Sequence, residues 1–67
     1  MAIVKVIELI AESNQGWEQA AQEAVTNAAK TVRNIKTAYV KEMQAIVENE
    51  KIARYRVNVQ LTFLVED

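Results

Sequence analysis

Ile52-Ala53-Arg54-Tyr55-Arg56-Val57-Asn58-Val59-Gln60-Leu61-Thr62-Phe63-Leu64-Val65-Glu66 is the stretch that decides how this chain folds. Ala53, Tyr55, Val57, Val59, Leu61, Phe63 and Val65 alternate with Arg54, Arg56, Asn58, Gln60, Thr62, Leu64 and Glu66. Successive side chains of a strand point to opposite faces, so this pattern lays one face on a core. The other face carries donors, acceptors and two guanidinium groups. The rest of the chain is expected to cover or extend this strand.

Immediately upstream, Lys36–Glu48 reads as a second strand. Thr37, Tyr39, Met43 and Val47 are assigned to one of its faces, and Ala38, Val40, Glu42, Gln44, Ile46 and Glu48 to the other. Its alternation is weaker than that of the last strand. The polar break from Glu48 to Lys51, which contains Asn49, predicts a hairpin between the two. Ile3–Ile10 reads as a first strand, mostly β-branched, with Lys5 and Glu8 setting no helical stripe. Both of its faces carry apolar residues, which predicts a neighbour on each side.

Between them, Ala11 to Gly16 is polar, and Ser13 and Asn14 are the candidate helix N-caps because their side-chain oxygens accept free amides. From Trp17 the apolar residues fall at Trp17, Ala20, Ala21, Ala24, Val25, Ala28, Ala29 and Val32. That i, i+3, i+4, i+7 spacing predicts a helix of about five turns. Its alanines make a small-residue stripe that lets the backbone lie close to a sheet. Glu18 and Glu23 come early and Lys30 and Arg33 late, as the helix dipole favours. Asn34 is the expected stop, since asparagine tolerates the left-handed conformation past a helix end.

The expected fold is α+β: a single domain over 1–67, in the order β-α-β-β, with a three-stranded antiparallel-type sheet wrapped on one helix. A right-handed crossover makes the first two strands parallel, and the last strand fills the gap between them, antiparallel to both. A helix of that length covers about 27 Å, whereas the hairpin strands reach roughly 43 to 50 Å. Apolar residues on the overhang, either Ile46, Val47 and Ile52 or Phe63 and Val65, predict self-association.

Composition narrows the function classes. A chain of 67 residues buries a marginal core, and with no cysteine and no histidine it has neither disulfides nor the usual metal ligands to staple it. Those absences also remove the cysteine nucleophile and the commonest general base, so no enzyme is expected. Eight basic and nine acidic residues are spread along the chain, giving no electrostatic footprint for nucleic acid or a membrane. The opening apolar run is too short and too charged for a signal peptide, and a cytoplasmic protein is expected.

The whole arrangement resembles the dodecins, a family of small strand-helix-strand-strand proteins that form hollow spherical dodecamers and, in their best-known members, bind flavins. Val4-Lys5-Val6-Ile7-Glu8, Gly16-Trp17-Glu18, Ala28-Ala29-Lys30-Thr31-Val32-Arg33-Asn34, Tyr55-Arg56-Val57 and Phe63-Leu64-Val65-Glu66-Asp67 carry the resemblance. It implies a homo-oligomer and a ligand site at Thr37, Gln44 and Arg56. Thr37 stands where flavin-binding members stack an aromatic residue, typically tryptophan, on the isoalloxazine ring. Arg56 replaces a glutamine that bonds the flavin edge, so an amide that donates and accepts has become a donor-only cation. Gln44 and Leu64 stand where some members place arginines that hold a flavin phosphate. Trp17 lies on the apolar stripe of the helix, where packing is its expected role.

The resemblance thus implies a shell that binds or stores a small ligand, with binding of FMN, riboflavin or FAD weak or absent. Arg56 suits an anionic ligand, or else pairs with Glu42 or Glu48 across the hairpin. Two alternatives stay open: flavin storage despite the substitutions, and an assembly stabilised by a metal ion such as calcium. The oxygens for such an ion would come from Glu8, Glu12, Glu42, Glu48, Glu50, Glu66 and Asp67 of several copies, since calcium takes six to eight.

Overall fold

The computed structural model describes residues 2–65. Its elements are β1 (Ile3–Ser13), α1 (Trp17–Ala28), β2 (Ile35–Glu48) and β3 (Lys51–Val65). The sheet order is β1-β3-β2, with β3 central and antiparallel to both neighbours. This is the expected β-α-β-β topology. Glu66, the expected last strand residue, and Asp67 lie outside the described residues.

The core sits where the two strongest sequence patterns meet. Val57, Val59 and Leu61 of β3 are fully buried, and α1 sets Ala20, Ala24 and Ala28 against them. Residues four apart form one ridge of a helix, and a ridge of methyl groups lets the helix approach closely. Ile7, Leu9, Ala11, Val25 and Ile35 close the core from the flanks.

The helix is shorter than its spacing suggests, ending at Ala28 instead of continuing to Arg33. Beyond it the Lys30 N–H donates to the Asn27 carbonyl at 3.2 Å and the Thr31 N–H to that of Ala28 at 3.1 Å, the tighter i+3 pattern. Tight turns of the same hand keep Ala29 and Val32 in helical spacing, so periodicity does not mark the boundary. Lys30 and Arg33 consequently lie past the last turn. Neither Ser13 nor Asn14 caps the helix; Gly16 takes that position with no side-chain cap. Ser13 Oγ instead accepts the Gln15 N–H at 3.0 Å, bracing the turn before it. Asn34 does adopt φ 63, six residues after the helix ends, where its carbonyl accepts the Leu64 N–H at 3.0 Å.

β1 runs three residues further than expected, through Glu12 to Ser13, and it lies at an edge with β3 as its one strand neighbour in the chain. Its two-sided apolarity does not come from a second strand. Val4, Val6 and Ile10 instead point to the sheet face that α1 does not cover, and all three are exposed.

The expected faces of β2 also need correction. Register shifts fall between Ile35 and Thr37 and between Val40 and Glu42, so Lys36 and Lys41 are surplus residues in the ladder. Each β-bulge inverts the alternation. Thr37 and Tyr39 therefore share the uncovered face with Glu42, Gln44 and Ile46, whereas Met43 joins Ala38, Val40 and Ala45 on the helix side.

Asn49 and Glu50 close the hairpin with φ of 53 and 63, the two positive values a type I′ turn requires. The molecule measures 51 × 20 × 13 Å along its principal axes. The 12 residues of α1 span about 18 Å at the helical rise, so the hairpin outruns its helix even further than expected. Because β1 pairs with β3 only from Tyr55 onward, the overhang is the hairpin tip, with Val47 and Ile52 exposed. Phe63 and Val65, at the other end, are half-buried.

Candidate ligand-binding face

Side chains directly opposite in an antiparallel ladder share a face, so the uncovered side of the sheet is a set of rows. From the tip side they run Glu12–Arg56–Gln44, Ile10–Asn58–Glu42, Glu8–Gln60–Tyr39 and Val6–Thr62–Thr37, each read from β1 through β3 to β2. Charge gathers in the first three rows, and the fourth is neutral.

In the first row Arg56 Nε stands 2.7 Å and Nη2 2.5 Å from Glu12 Oε2. Arg54 joins from the side, with Nε 3.1 Å from Glu12 Oε1 and Nη1 3.2 Å from Glu48 Oε2. Arg56 therefore finds its carboxylate on β1; Glu48 is taken by Arg54, and no bond joins Arg56 to Glu42 among the described residues. The Arg56 hydrogen bond, with its charge and that of Arg54, holds the Glu12 carboxyl below the usual range. Glu48 and then Glu12 push the Arg54 guanidinium further up. Glu12, Arg54 and Arg56 are half-buried and Glu48 is exposed, so solvent still screens the cluster and its members orient one another more than they stabilise the fold.

Two rows along, Gln60 Nε2 donates to Glu8 Oε1 at 3.4 Å and Lys41 Nζ lies 3.7 Å from Glu8 Oε2. The bulge that makes Lys41 surplus to the ladder is what frees it to reach across β3. Hydrogen bonds from Asn58 and Gln60, followed by the charge of Lys41, hold the Glu8 carboxyl low.

Gln44 and Arg56 are a register pair and line one pocket of about 230 Å³ with Ile10, Glu42 and Asn58. Thr37 is not part of it. It lies opposite Thr62, hydroxyl bonded to hydroxyl, and the six residues from Arg56 to Thr62 span about 20 Å at the strand rise. Trp17 stands on the helix side, its ring edge-on to Tyr55 with centroids 4.9 Å apart and planes at 76°. Its indole N–H donates to the Gln44 carbonyl at 3.0 Å, tying the helix start to an edge strand. Glu12 and Asn58 are the residues of this face whose part sequence reasoning missed. The signal for Glu12 is present: Glu8, Ile10 and Glu12 continue the alternation through the polar stretch.

Among the described residues no three acidic side chains stand close enough together to hold a metal ion. No helix among them is long and apolar enough to cross a membrane.

With this fold and face in view, the relationships of the chain are consistent. The Dodecin family model matches residues 3–66. Calcium dodecin from Mycobacterium tuberculosis is 38% identical over 63 residues, 94% of this chain and 89% of that protein. Dodecin from Thermus thermophilus is 31% identical over 65 residues, 97% of this chain and 94% of that protein. A crystal structure of a Thermus thermophilus dodecin variant superposes with a TM-score of 0.93 at 30% identity, covering 100% of both chains. That of the Mycobacterium tuberculosis calcium dodecin, described as having a novel calcium-binding site, gives 0.83 at 36% identity over 96% of this chain and 91% of that one. The chain belongs to the dodecin family. Dodecins are not enzymes, in agreement with the expectation from composition.

Proposed function

We propose that this chain is the subunit of a hollow homododecameric shell that binds or stores a small ligand, with flavin binding weak or absent. The observation carrying the reading is the uncovered sheet face. Val4, Val6, Ile10 and Tyr39 are 57%, 55%, 67% and 60% exposed on a single chain, and apolar groups gathered this way mark an interface. The fully formed core, by contrast, holds three alanines, two valines and one leucine. A domain this small gains stability from burying such a face against copies of itself.

The ligand positions fit the same reading. Gln44 and Arg56 share a pocket, while Thr37 lies about 20 Å along the sheet at the ordinary strand rise. One small molecule touching both ends therefore lies between neighbouring chains. The residues fit a flavin poorly. Thr37 offers no ring to stack and its hydroxyl bonds Thr62, and Arg56 already holds Glu12. A stacked aromatic pair is worth roughly 0.5–1.5 kcal/mol beyond area burial and a hydrogen bond about 1 kcal/mol. Losing several together weakens a flavin site by orders of magnitude.

A second reading, a calcium-stabilised assembly, is favoured by the relative named calcium dodecin. With no three acidic groups together in the described part of one chain, calcium would be held between chains. Native mass spectrometry tests the main reading. Twelve subunits without retained flavin after incubation with micromolar FMN is the expected result. A monomer or dimer overturns the shell, and tight quenching of flavin fluorescence overturns the ligand reading. Metal analysis after dialysis decides for or against calcium.

A further inference from the structure

The pocket between β1 and β2 is lined by Ile10, Glu42, Gln44, Arg56 and Asn58, and its polar groups are not equally available. Arg56 has Nε and Nη2 on Glu12. The Asn58 amide lies near enough to Glu8 to help hold its carboxyl low, and its nitrogen is the end that can donate to a carboxylate. Asn58 Oδ1 is left buried without a hydrogen-bond partner among the described residues. Directly opposite it in the ladder stands Glu42, whose carboxylate forms neither an ion pair nor a hydrogen bond with any described residue.

The open valences of the pocket are thus two acceptors, one of them charged. A buried amide oxygen with no partner is rare in folded proteins because its lost hydration is not replaced. A water molecule answers Oδ1 but leaves the carboxylate and the exposed Ile10 surface unused. Calcium, which takes six to eight oxygens, finds too few here. A planar, weakly hydrated cation matches better, because two N–H groups meet a carboxylate in parallel and others remain for a neighbouring oxygen.

We propose that Glu42 and Asn58 form a binding site for an amidinium or guanidinium group, whose N–H groups bond the Glu42 carboxylate and Asn58 Oδ1 while its hydrocarbon part lies on Ile10. This rests on the reading of the chain as a small-ligand binder and reverses the sign of the ligand: the arginine of the pocket is already neutralised by Glu12, so the site selects a cation.

Benzamidine is the probe, with benzoate as the isosteric anion and calcium chloride as the metal arm, each added to the full-length protein. Isothermal titration and ligand-observed saturation-transfer NMR read binding, and native mass spectrometry reads subunit number in the same samples. Benzamidinium is expected to bind at least tenfold more tightly than benzoate. Glu42→Gln and Asn58→Val are each expected to weaken it tenfold or more with subunit number unchanged. Benzoate binding as well as benzamidinium, calcium displacing benzamidinium from the pocket, or both variants binding like the parent protein overturns the proposal. Loss of the assembly mass overturns the shell reading; absence of benzamidinium binding by an intact assembly overturns this site alone.

Discussion

Glu12 and Arg56 face each other across β1 and β3 with Nε 2.7 Å from Oε2, and Arg54 reaches the same carboxylate at 3.1 Å. One carboxylate thus gathers two guanidinium groups that would otherwise repel along one face of β3. Their pull lowers the folded-state pKa of Glu12. A lowered carboxylate contributes stability that is present above its unfolded value of about 4.3 and is lost as pH falls through the folded value. Glu8, held low first by Asn58, acts in the same direction. Thermal denaturation followed by circular dichroism is expected to show Tm falling as pH drops from about 4.3 downward. Glu12→Gln should lower Tm at pH 7 and flatten that fall.

Glu50 sits at φ 63 in the hairpin turn. A left-handed conformation costs an L-residue roughly 1–2 kcal/mol that glycine avoids, against a smaller loss of chain entropy. Glu50→Gly is therefore expected to stabilise the protein by about 0.5–1 kcal/mol in urea denaturation. Asn49→Val, which puts a β-branched residue at φ 53, should do the reverse.

Ala24 is 4% exposed on the ridge facing Val57, Val59 and Leu61. A longer side chain on this ridge presses against the buried face of β3. Ala24→Leu is expected to cost about 1–3 kcal/mol by overpacking. Leu61→Ala should cost about 2–5 kcal/mol by leaving a cavity. Both are read from the urea midpoint at fixed protein concentration.

The buried oxygen of Asn58 lacks a hydrogen-bond partner among the described residues. An unsatisfied buried acceptor costs about 1–3 kcal/mol, so Asn58→Val is expected to raise the stability of the ligand-free protein by about 1 kcal/mol after the bond to Glu8 is lost. A fall of the urea midpoint by the same amount would mean that the oxygen is already satisfied.

β3 was legible because its alternation holds from Arg54 to Phe63, past the shift at Ala53, and its two neighbours pair with it from opposite sides. The order of elements followed from it, and so did the projecting hairpin. What stayed hidden was local. Lys36 and Lys41 each displace the ladder by one residue, and nothing in their side chains announces a bulge, so Met43 was placed on the wrong face. Turns of helical hand hid the end of α1 at Ala28. Of the candidate site, Gln44 and Arg56 are named by the resemblance alone, and it is the ladder that sets them opposite each other. The pairing of Glu12 with Arg56 escaped because a polar stretch reads as a loop until a strand neighbour gives it a ladder to join. Asn58 escaped because an orphaned atom is defined only by what surrounds it.

The bulge at Lys41 also decides how this strand can change length. Val40 pairs with Val59 and Glu42 with Asn58, so Lys41 occupies no rung between them. Deleting it would leave every other pairing in β2 as it is and sacrifice only the contact with Glu8. Deleting Tyr39 or Gln44 would turn one side of the strand over, carrying apolar residues into water and charges onto α1. The surplus lysine is the seam at which β2 can lose a residue while the pocket residues Glu42 and Gln44 keep facing the same way.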